Sequence, residues 1–404
     1  MHKSSIEWFL VEFILFFLTL YIVAIIIFKQ NYNTYTYYIN GLFVIGYFIY
    51  LFLKKSFVFK INKIIYSYLL FVIFSLCSSI YGIDFSISSF KSLQLFILFV
   101  NLLLIYNIVI NLNAEKAFLN GILLGSFLNY LLVLGILNAP FEIIMPGGGN
   151  RMMGTLGNPN VLSLVMLISI FVSIIYLSKK INKIFYYYQY VNIFLATYTI
   201  VLTASKKGAI FGFILITLFF IMHLKNLKKI LNLLLLISAV IFIVFHYIGI
   251  EYFIPIIDTL TQRFDAFGTQ MSYSDSSGST GERKFLIDFG LSIFTDRPLY
   301  GHGIGSYYLL NPLGLYAHNN YIELLVGVGL IGMILFYAVY YFLYKQILKI
   351  DDKNLKILSL LLLFVFLFMD IAVVSYASKY LLYTIIFLSA YLYNLENKKE
   401  NNNV

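Results

Sequence analysis

Charge is what this sequence has least of. Asp, Glu, Lys and Arg make up only 11% of its 404 residues, against 61% hydrophobic ones, and the mean hydropathy is +0.88. A water-surrounded globule of that length would expose far more charge, so the solvent for most of the chain is lipid. Cysteine is down to one residue, Cys77, set in an apolar run. That excludes an internal disulfide and leaves the redox compartment open. Arginine is also scarce: Arg151, Arg263, Arg283 and Arg297 are the only ones. The net charge of +10 is scattered over short segments rather than gathered in one, which argues against a nucleic-acid partner.

Long apolar runs fill the space that charge leaves. Twelve are near spanning length, at about 9–28, 37–53, 64–81, 92–111, 117–137, 160–178, 185–204, 208–224, 230–249, 320–344, 357–376 and 380–395. A hydrocarbon layer about 30 Å thick takes roughly 20 helical residues, so most of these qualify and two are short. Phe (40) and Tyr (35) supply apolar bulk and interfacial belts. The first run is too long for a signal peptide and has no small-residue cleavage site. No repeat is strong enough to argue an inverted pair. The sequence predicts an all-α integral membrane protein of about 12 transmembrane helices with one large outer loop containing short helices. Residues 1–249 would carry helices 1–9, residues 250–318 the large extracytoplasmic loop, and residues 319–404 helices 10–12 and a cytoplasmic tail.

Lysine sets the orientation. With the N-terminus inside, successive inner segments hold Lys3, then Lys54, Lys55, Lys60 and Lys63, then Lys116, then Lys179, Lys180 and Lys183. The pattern continues through Lys225, Lys228 and Lys229, through Lys345, Lys349, Lys353 and Lys356, to Lys398 and Lys399. The positive-inside rule then puts both termini in the cytoplasm. All four arginines fall outside, against that bias, together with Lys206 and Lys207. A guanidinium grips phosphate oxygens at two points, so an anion held on the outer face is one reading. Pairing with Asp265, Glu282 and Asp296 is the other.

The outer segment 250–318 has its own texture. Phe253, Ile256, Ile257, Leu260, Phe264 and Phe267 fall near helical spacing, as in an amphipathic piece lying on a membrane. A polar stretch, SYSDSSGST (272–280), follows. Ser279 and Glu282 make a capping box that opens a short helix, ERKFLIDFGLSIF, ending before Asp296. GHGIG (301–305) has no Gly-Lys-Ser/Thr after it and no strand before it, so it reads as a tight turn rather than a phosphate loop. His302 in that turn is either solvated or part of a site.

The stretch AHNNYIELLVGVGLIG (317–332) starts a membrane-grade run with a histidine and two asparagines. Asn319 or Asn320 can cap the helix. The positive end of that helix disfavours imidazolium, so His318 stays neutral and able to accept a proton. On a regular helix His318, Gly329 and Gly332 share one face, and the bare side would admit either a neighbouring helix or an elongated lipid chain. Glu323, a turn further in, is costly unless paired; orienting His318, meeting an outer cation and a structural pairing all stand. Asp370, in LFMDIAVV, reads as a hydrogen-bonded interhelical aspartate or a proton-coupling group.

These residues together resemble the O-antigen ligase and Wzy-type polymerase superfamily. His318-Asn319 followed by Gly329-x-x-Gly332, placed after a large outer loop, is similar to its signature. RPLYG (297–301) with GHGIGSYY, GTLGNPNVLS (154–163) and TASKKGAI (203–210) are similar to three further segments of the family. The likeness covers about residues 140–345. One departure is Lys206 or Lys207 where the family often has arginine, which keeps the charge and loses the fork.

The resemblance implies a fold similar to C-type membrane glycosyltransferases, in the bacterial cytoplasmic (inner) membrane with an extracytoplasmic active site. It implies transfer of a glycan from a polyprenyl (undecaprenyl) pyrophosphate carrier to a hydroxyl, with no metal, cofactor or nucleotide sugar. His318 would be the catalytic base. Arg283, Lys206, Lys207, Arg151, Arg297, His302, Asn319 and Glu323 would bind pyrophosphate or sugar, and Gly329 and Gly332 would line a lipid groove. Partners would be carrier-linked oligosaccharides, membrane lipid, a chain-length regulator and a flippase. The first expectation is a repeat-unit polymerase for O-antigen or capsule; the second is a ligase passing a finished glycan to lipid core, protein or wall polymer. A transporter or flippase is the reading from another class, and only Glu323 and Asp370 lie deep enough to serve it.

Overall fold

The structure is a computed structural model that describes residues 5–28, 33–55, 58–137, 152–179, 182–223 and 279–402. Its helices are α1 (Ser5–Ile27), α2 (Asn33–Leu53), α3 (Lys63–Tyr81), α4 (Phe85–Leu112), α5 (Glu115–Val133), α6 (Pro159–Leu177), α7 (Lys183–Leu202), α8 (Lys206–His223), α9 (Ser279–Phe294), α10 (Tyr307–Leu310), α11 (Asn320–Leu348), α12 (Lys353–Met369) and α13 (Lys379–Asn402). No strand occurs among the described residues. Each of the twelve apolar stretches coincides with a helix except 230–249, which lies outside the described residues. Among the described residues seven helices, α1 to α6 and α11, are long and apolar enough to cross a membrane. The chain is a multi-pass membrane protein.

The helix starts follow side-chain capping rather than hydropathy. Asn62 accepts from the Ile65 N–H at the head of α3, and Asp84 from the Ile87 N–H at the head of α4. Asn158 caps α6, whose first residue is Pro159, the position where a missing N–H costs nothing. Asn182 opens α7 and Asp352 opens α12 in the same way. The Asp84 cap starts α4 seven residues before its apolar run, which brings Lys91 onto the helix.

The described chain forms two compact units. One comprises Met1–Gly46 and Lys116–Tyr273, the other Tyr47–Glu115 and Ser274–Val404. In the first, α6 is buried along nearly its whole length and packs on α7 and α8. Asn192 of α7 donates to the Ser169 and Ser173 hydroxyls of α6 at 3.0 and 2.7 Å, the kind of interhelical bond that holds helices where lipid offers no hydrophobic drive. In the second unit, α11 sits at the centre, touching α3, α9, α12 and α13, while α4 packs on α3 and α13. Large apolar side chains such as Trp8, Phe52, Ile80 and Phe213 are left exposed on the helices, as a lipid-facing surface requires.

α9 spans Ser279–Phe294 and covers the segment read as a short outer-loop helix. The amphipathic piece 250–267 and the polar residues 272–278 lie outside the described residues, as do Arg151 and Arg263.

Candidate active site

α11 is not one continuous helix. Gly329 has φ 65° and ψ −168°, a region open essentially only to glycine. In a regular helix the N–H groups of Leu330 and Ile331 would bond the carbonyls of Val326 and Gly327. Here all four groups find other partners on the segment RPLYGHG. His302 N–H donates to the Val326 carbonyl and Gly303 N–H to that of Gly327, both at 2.8 Å. Leu330 N–H donates to the Pro298 carbonyl at 2.9 Å, and Ile331 N–H to that of Leu299 at 3.1 Å. The break therefore leaves none of these four groups orphaned.

The opposite edge of the same segment grips the end of α3. Arg297 Nη1 donates to the Tyr81 carbonyl at 3.2 Å, a cation on the negative end of a helix. The Tyr81 hydroxyl donates back to the Tyr300 carbonyl, Ile83 N–H to that of His302, and Ile304 N–H to the Ser78 hydroxyl. A Cβ on Gly303 would lie 2.7 Å from the Gly82 Cα, and one on Gly301 2.7 Å from the Gly327 carbonyl. Backbone against backbone is what those glycines permit.

Three expectations change here. Gly329 and Gly332 do not open a lipid groove. The side of Gly329 is filled by the Leu299–Tyr300 backbone, and that of Gly332 by Val328 and Phe74. His302 is neither solvated nor presented to a substrate: it is buried, and its Nε2 lies 3.1 Å from the Ile293 carbonyl. A carbonyl only accepts, so Nε2 carries the proton and the ring is a structural donor. Arg297 is half-buried and commits a donor to Tyr81 rather than to an anion.

His318 does not share a helical face with either glycine, because it stands outside α11. Its φ is 51°, the left-handed conformation, and Asn319 after it is the N-cap. Asn319 Oδ1 accepts from the N–H groups of Tyr321 and Ile322 at 2.9 and 3.2 Å. A non-glycine residue in that conformation costs about 1–3 kcal/mol and persists only where its surroundings over-determine it. The surroundings do so on both sides. Before it, Ala317 N–H donates to Glu323 Oε2 at 2.9 Å. After it, Asn320 N–H donates to the Asp370 carbonyl at 2.7 Å, and Asn320 Oδ1 accepts from Ser375 and Tyr376. Asp370, fully buried, accepts through Oδ2 from Tyr337 at 2.9 Å, Tyr340 at 3.3 Å and Asn320 at 3.4 Å. It is the hydrogen-bonded interhelical aspartate of the two readings.

α9 delivers the charges. Leu286 packs in a core with Tyr307, Ala317, Ile322 and Val326, and Gly290 lets Ile322 approach its backbone. One turn back from Leu286, this seats Arg283 and Glu282 near His318. Burial chiefly, then the positive charge of Arg283, hold the His318 imidazole below its ordinary 6.5, with Glu282 opposing in part. A neutral, half-buried imidazole beside a guanidinium is the result. Tyr316 lies against it, ring centroids 3.9 Å apart and tilted by 42°, and is a site neighbour that sequence reasoning missed. Its phenol is pushed up by burial, with Arg283 pulling the other way and Glu323 adding to the rise.

The structure thus brings His318, Arg283, Asn319 and Glu323 together in the second unit. Lys206 and Lys207 belong to the first unit, as the two opening residues of α8, both half-buried. There the GTLGNPN and TASKKGA segments meet. Ser205 donates to Asn160 Oδ1 at 3.1 Å, Ser163 donates to Ser205 at 3.3 Å, and Met152 N–H bonds the Leu202 carbonyl. Among the described residues no three His, Cys, Asp or Glu side chains gather as a metal ion would require.

Residues 191–337, from α7 through the break in α11, match the family model Wzy_C, described as O-Antigen ligase. That stretch of the chain is similar to the O-antigen ligase family. Proteins of Rickettsia conorii and Rickettsia felis, both named "Putative polysaccharide ligase", are 28% and 30% identical to it over 102 residues. Each alignment covers 22% of this chain, which spans about a quarter (25%) of those relatives' length. Both the family description and these names speak for the ligase expectation ahead of the polymerase one. The matched stretch contains His318, Arg283, Glu323 and the whole bonded unit of residues 297–303 and 326–331.

Proposed function

We propose that this protein is a membrane glycan ligase that moves a glycan from a polyprenyl pyrophosphate carrier to a hydroxyl acceptor at the outer membrane face. The observation that carries the proposal is His318: a neutral imidazole, set just ahead of a helix N-terminus in a braced turn, with an arginine beside it. In the reaction the acceptor hydroxyl gives its proton to an imidazole nitrogen while its oxygen attacks the anomeric carbon. The bond from that carbon to the pyrophosphate oxygen breaks, and the departing polyprenyl pyrophosphate takes the electron pair. Arg283 faces that growing negative charge, and the Asn319 and α11 N-terminal region adds the positive end of a helix dipole. Tyr316 offers an aromatic face to a sugar ring.

Ligase is chosen over polymerase on the family and relatives alone, since the chemistry is common to both. A deletion strain separates them. Loss of a ligase leaves long chains on the carrier, and the wild-type gene, but not His318→Ala, restores their transfer. Single repeats on the acceptor in the deletion strain would mean a polymerase instead.

A further inference from the structure

Asn320 is the first residue of α11 and is fully buried. An asparagine amide can donate twice and accept twice, and here every one of those places is used. Oδ1 accepts from the Ser375 and Tyr376 N–H groups at 2.8 and 3.0 Å. Nδ2 donates to the Tyr337 hydroxyl at 3.1 Å and to Asp370 Oδ2 at 3.4 Å. The Tyr337 hydroxyl donates in turn to Asp370 Oδ2 at 2.9 Å, so amide, phenol and carboxylate close a ring of hydrogen bonds. Turning the amide over would set Nδ2 against two N–H donors and Oδ1 against a carboxylate, so its orientation is fixed. The backbone adds the bond from the Asn320 N–H to the Asp370 carbonyl at 2.7 Å.

One group of these partners lies on α11 itself, the other on residues 370–376, which join α12 to α13. That connection is held elsewhere as well. The Tyr68 hydroxyl of α3 donates to the Tyr376 carbonyl at 3.2 Å. Just ahead of the connection, the Tyr321 hydroxyl donates to the Leu367 carbonyl at 2.9 Å, and the Tyr321 ring stacks on Tyr337 with centroids 5.0 Å apart. His318 stands two residues before Asn320, in the left-handed conformation that a histidine does not choose unaided. The matched stretch 191–337 stops short of residues 370–376, so the similarity to the ligase family assigns them no role.

We propose that Asn320 is a positioning residue for His318: its matched amide pins the left-handed turn to the 370–376 connection and makes that connection a working part of the transfer site. Asn320 and Asp370 are both fully buried, so neither touches substrate. The proposal rests on the reading of His318 as proton acceptor.

The test uses full-length protein in liposomes at matched membrane abundance, with two readouts. The first is transfer from a carrier-linked glycan. Asn320→Asp keeps an acceptor for the Ser375 and Tyr376 N–H groups but sets an acceptor against Asp370. It is expected to lose about tenfold or more in kcat, with KM within about twofold of wild type. Asp370→Asn can present its own Oδ1 to the donors that Oδ2 now serves, and should lose no more than about threefold. Combining the two exchanges restores a donor facing an acceptor, with the Tyr337 hydroxyl reversed, and should recover most of the Asn320→Asp loss. A double variant as slow as Asn320→Asp would overturn the match. The second readout is the rate of carbethoxylation by diethyl pyrocarbonate at about pH 8, where the imidazole is neutral, read by mass spectrometry. Asn320→Asp should raise the His318 rate severalfold and leave the buried His302 unchanged, and the double variant should return it toward wild type. Equal His318 rates in wild type and Asn320→Asp would overturn the proposal. An equal rise at both histidines would do so too, since the whole unit would then be loosened. This readout needs no turnover, so an inactive wild type with the expected labelling pattern would refute the ligase function and leave the positioning of His318 standing.

Discussion

Gly329→Ala is the sharpest probe of the break in α11. At φ 65° and ψ −168° an alanine sits where only glycine is at ease, at a cost of about 1–3 kcal/mol. Its Cβ would also collide with the Leu299–Tyr300 backbone, which cannot yield as a flexible side chain can. Relief requires the 297–303 segment to move, which puts at risk four hydrogen bonds worth roughly 1 kcal/mol each. The sum is about 5–7 kcal/mol of lost stability. Gly41→Ala in α2 is the control, since nothing lies within 4 Å of its added Cβ and its backbone is helical. There the change should be neutral or stabilise by up to about 1 kcal/mol. Thermal melting of detergent-purified protein should show Gly329→Ala losing on the order of 5–10 °C and Gly41→Ala losing none. Equal melting of Gly329→Ala and wild type would refute the account of how the RPLYGHG segment and α11 hold one another.

The remaining predictions concern the charges. Because His318 works as the neutral imidazole, transfer is lost as pH falls through its folded pKa, so the acid limb of kcat/KM lies below pH 6.5. Arg283→Gln removes a charge that lowers that pKa and should move the limb up, while Glu282→Gln should move it down; limbs that shift the other way would contradict the assignment. Arg283→Lys keeps the charge and loses the fork, and should cost transfer about tenfold or more, whereas Lys353→Arg at the head of α12 should change it little. Asp370→Ala strands the Tyr337 and Tyr340 hydroxyls and the Asn320 amide, and should lower stability by roughly 3 kcal/mol in the same melting assay.

Much of the architecture was legible because lipid writes itself plainly into sequence. Runs without charge gave the helices, whereas the Asn and Asp caps at the heads of α3, α4, α6, α7 and α12 were not anticipated. His318 and its cap were legible as well, because capping is a local matter. The break at Gly329 was not. Spacing arguments assume a regular helix, and a G-x-G-x-x-G pattern looks the same whether its glycines admit a neighbouring helix or a backbone from thirty residues away. The partners of Val326, Gly327, Leu330 and Ile331 lie in RPLYGHG, so no local pattern reveals the exchange. His302 was misread for the same reason: its neighbours in sequence suggest a solvated turn, while its hydrogen bond goes to the end of α9. Lys91 drew no notice, being a lone cation at the edge of an apolar run, and its neighbours Tyr376 and Gly305 come from two other segments.

The central claim is that the His318 imidazole takes the acceptor's proton. Purified protein in liposomes, given a defined glycan on a polyprenyl pyrophosphate carrier and a hydroxyl acceptor, tests it directly. Wild type should form the glycosylated acceptor and release the carrier pyrophosphate with no ion gradient, while His318→Ala at equal abundance should form none above background. Product formation by His318→Ala at a rate near wild type would contradict the account.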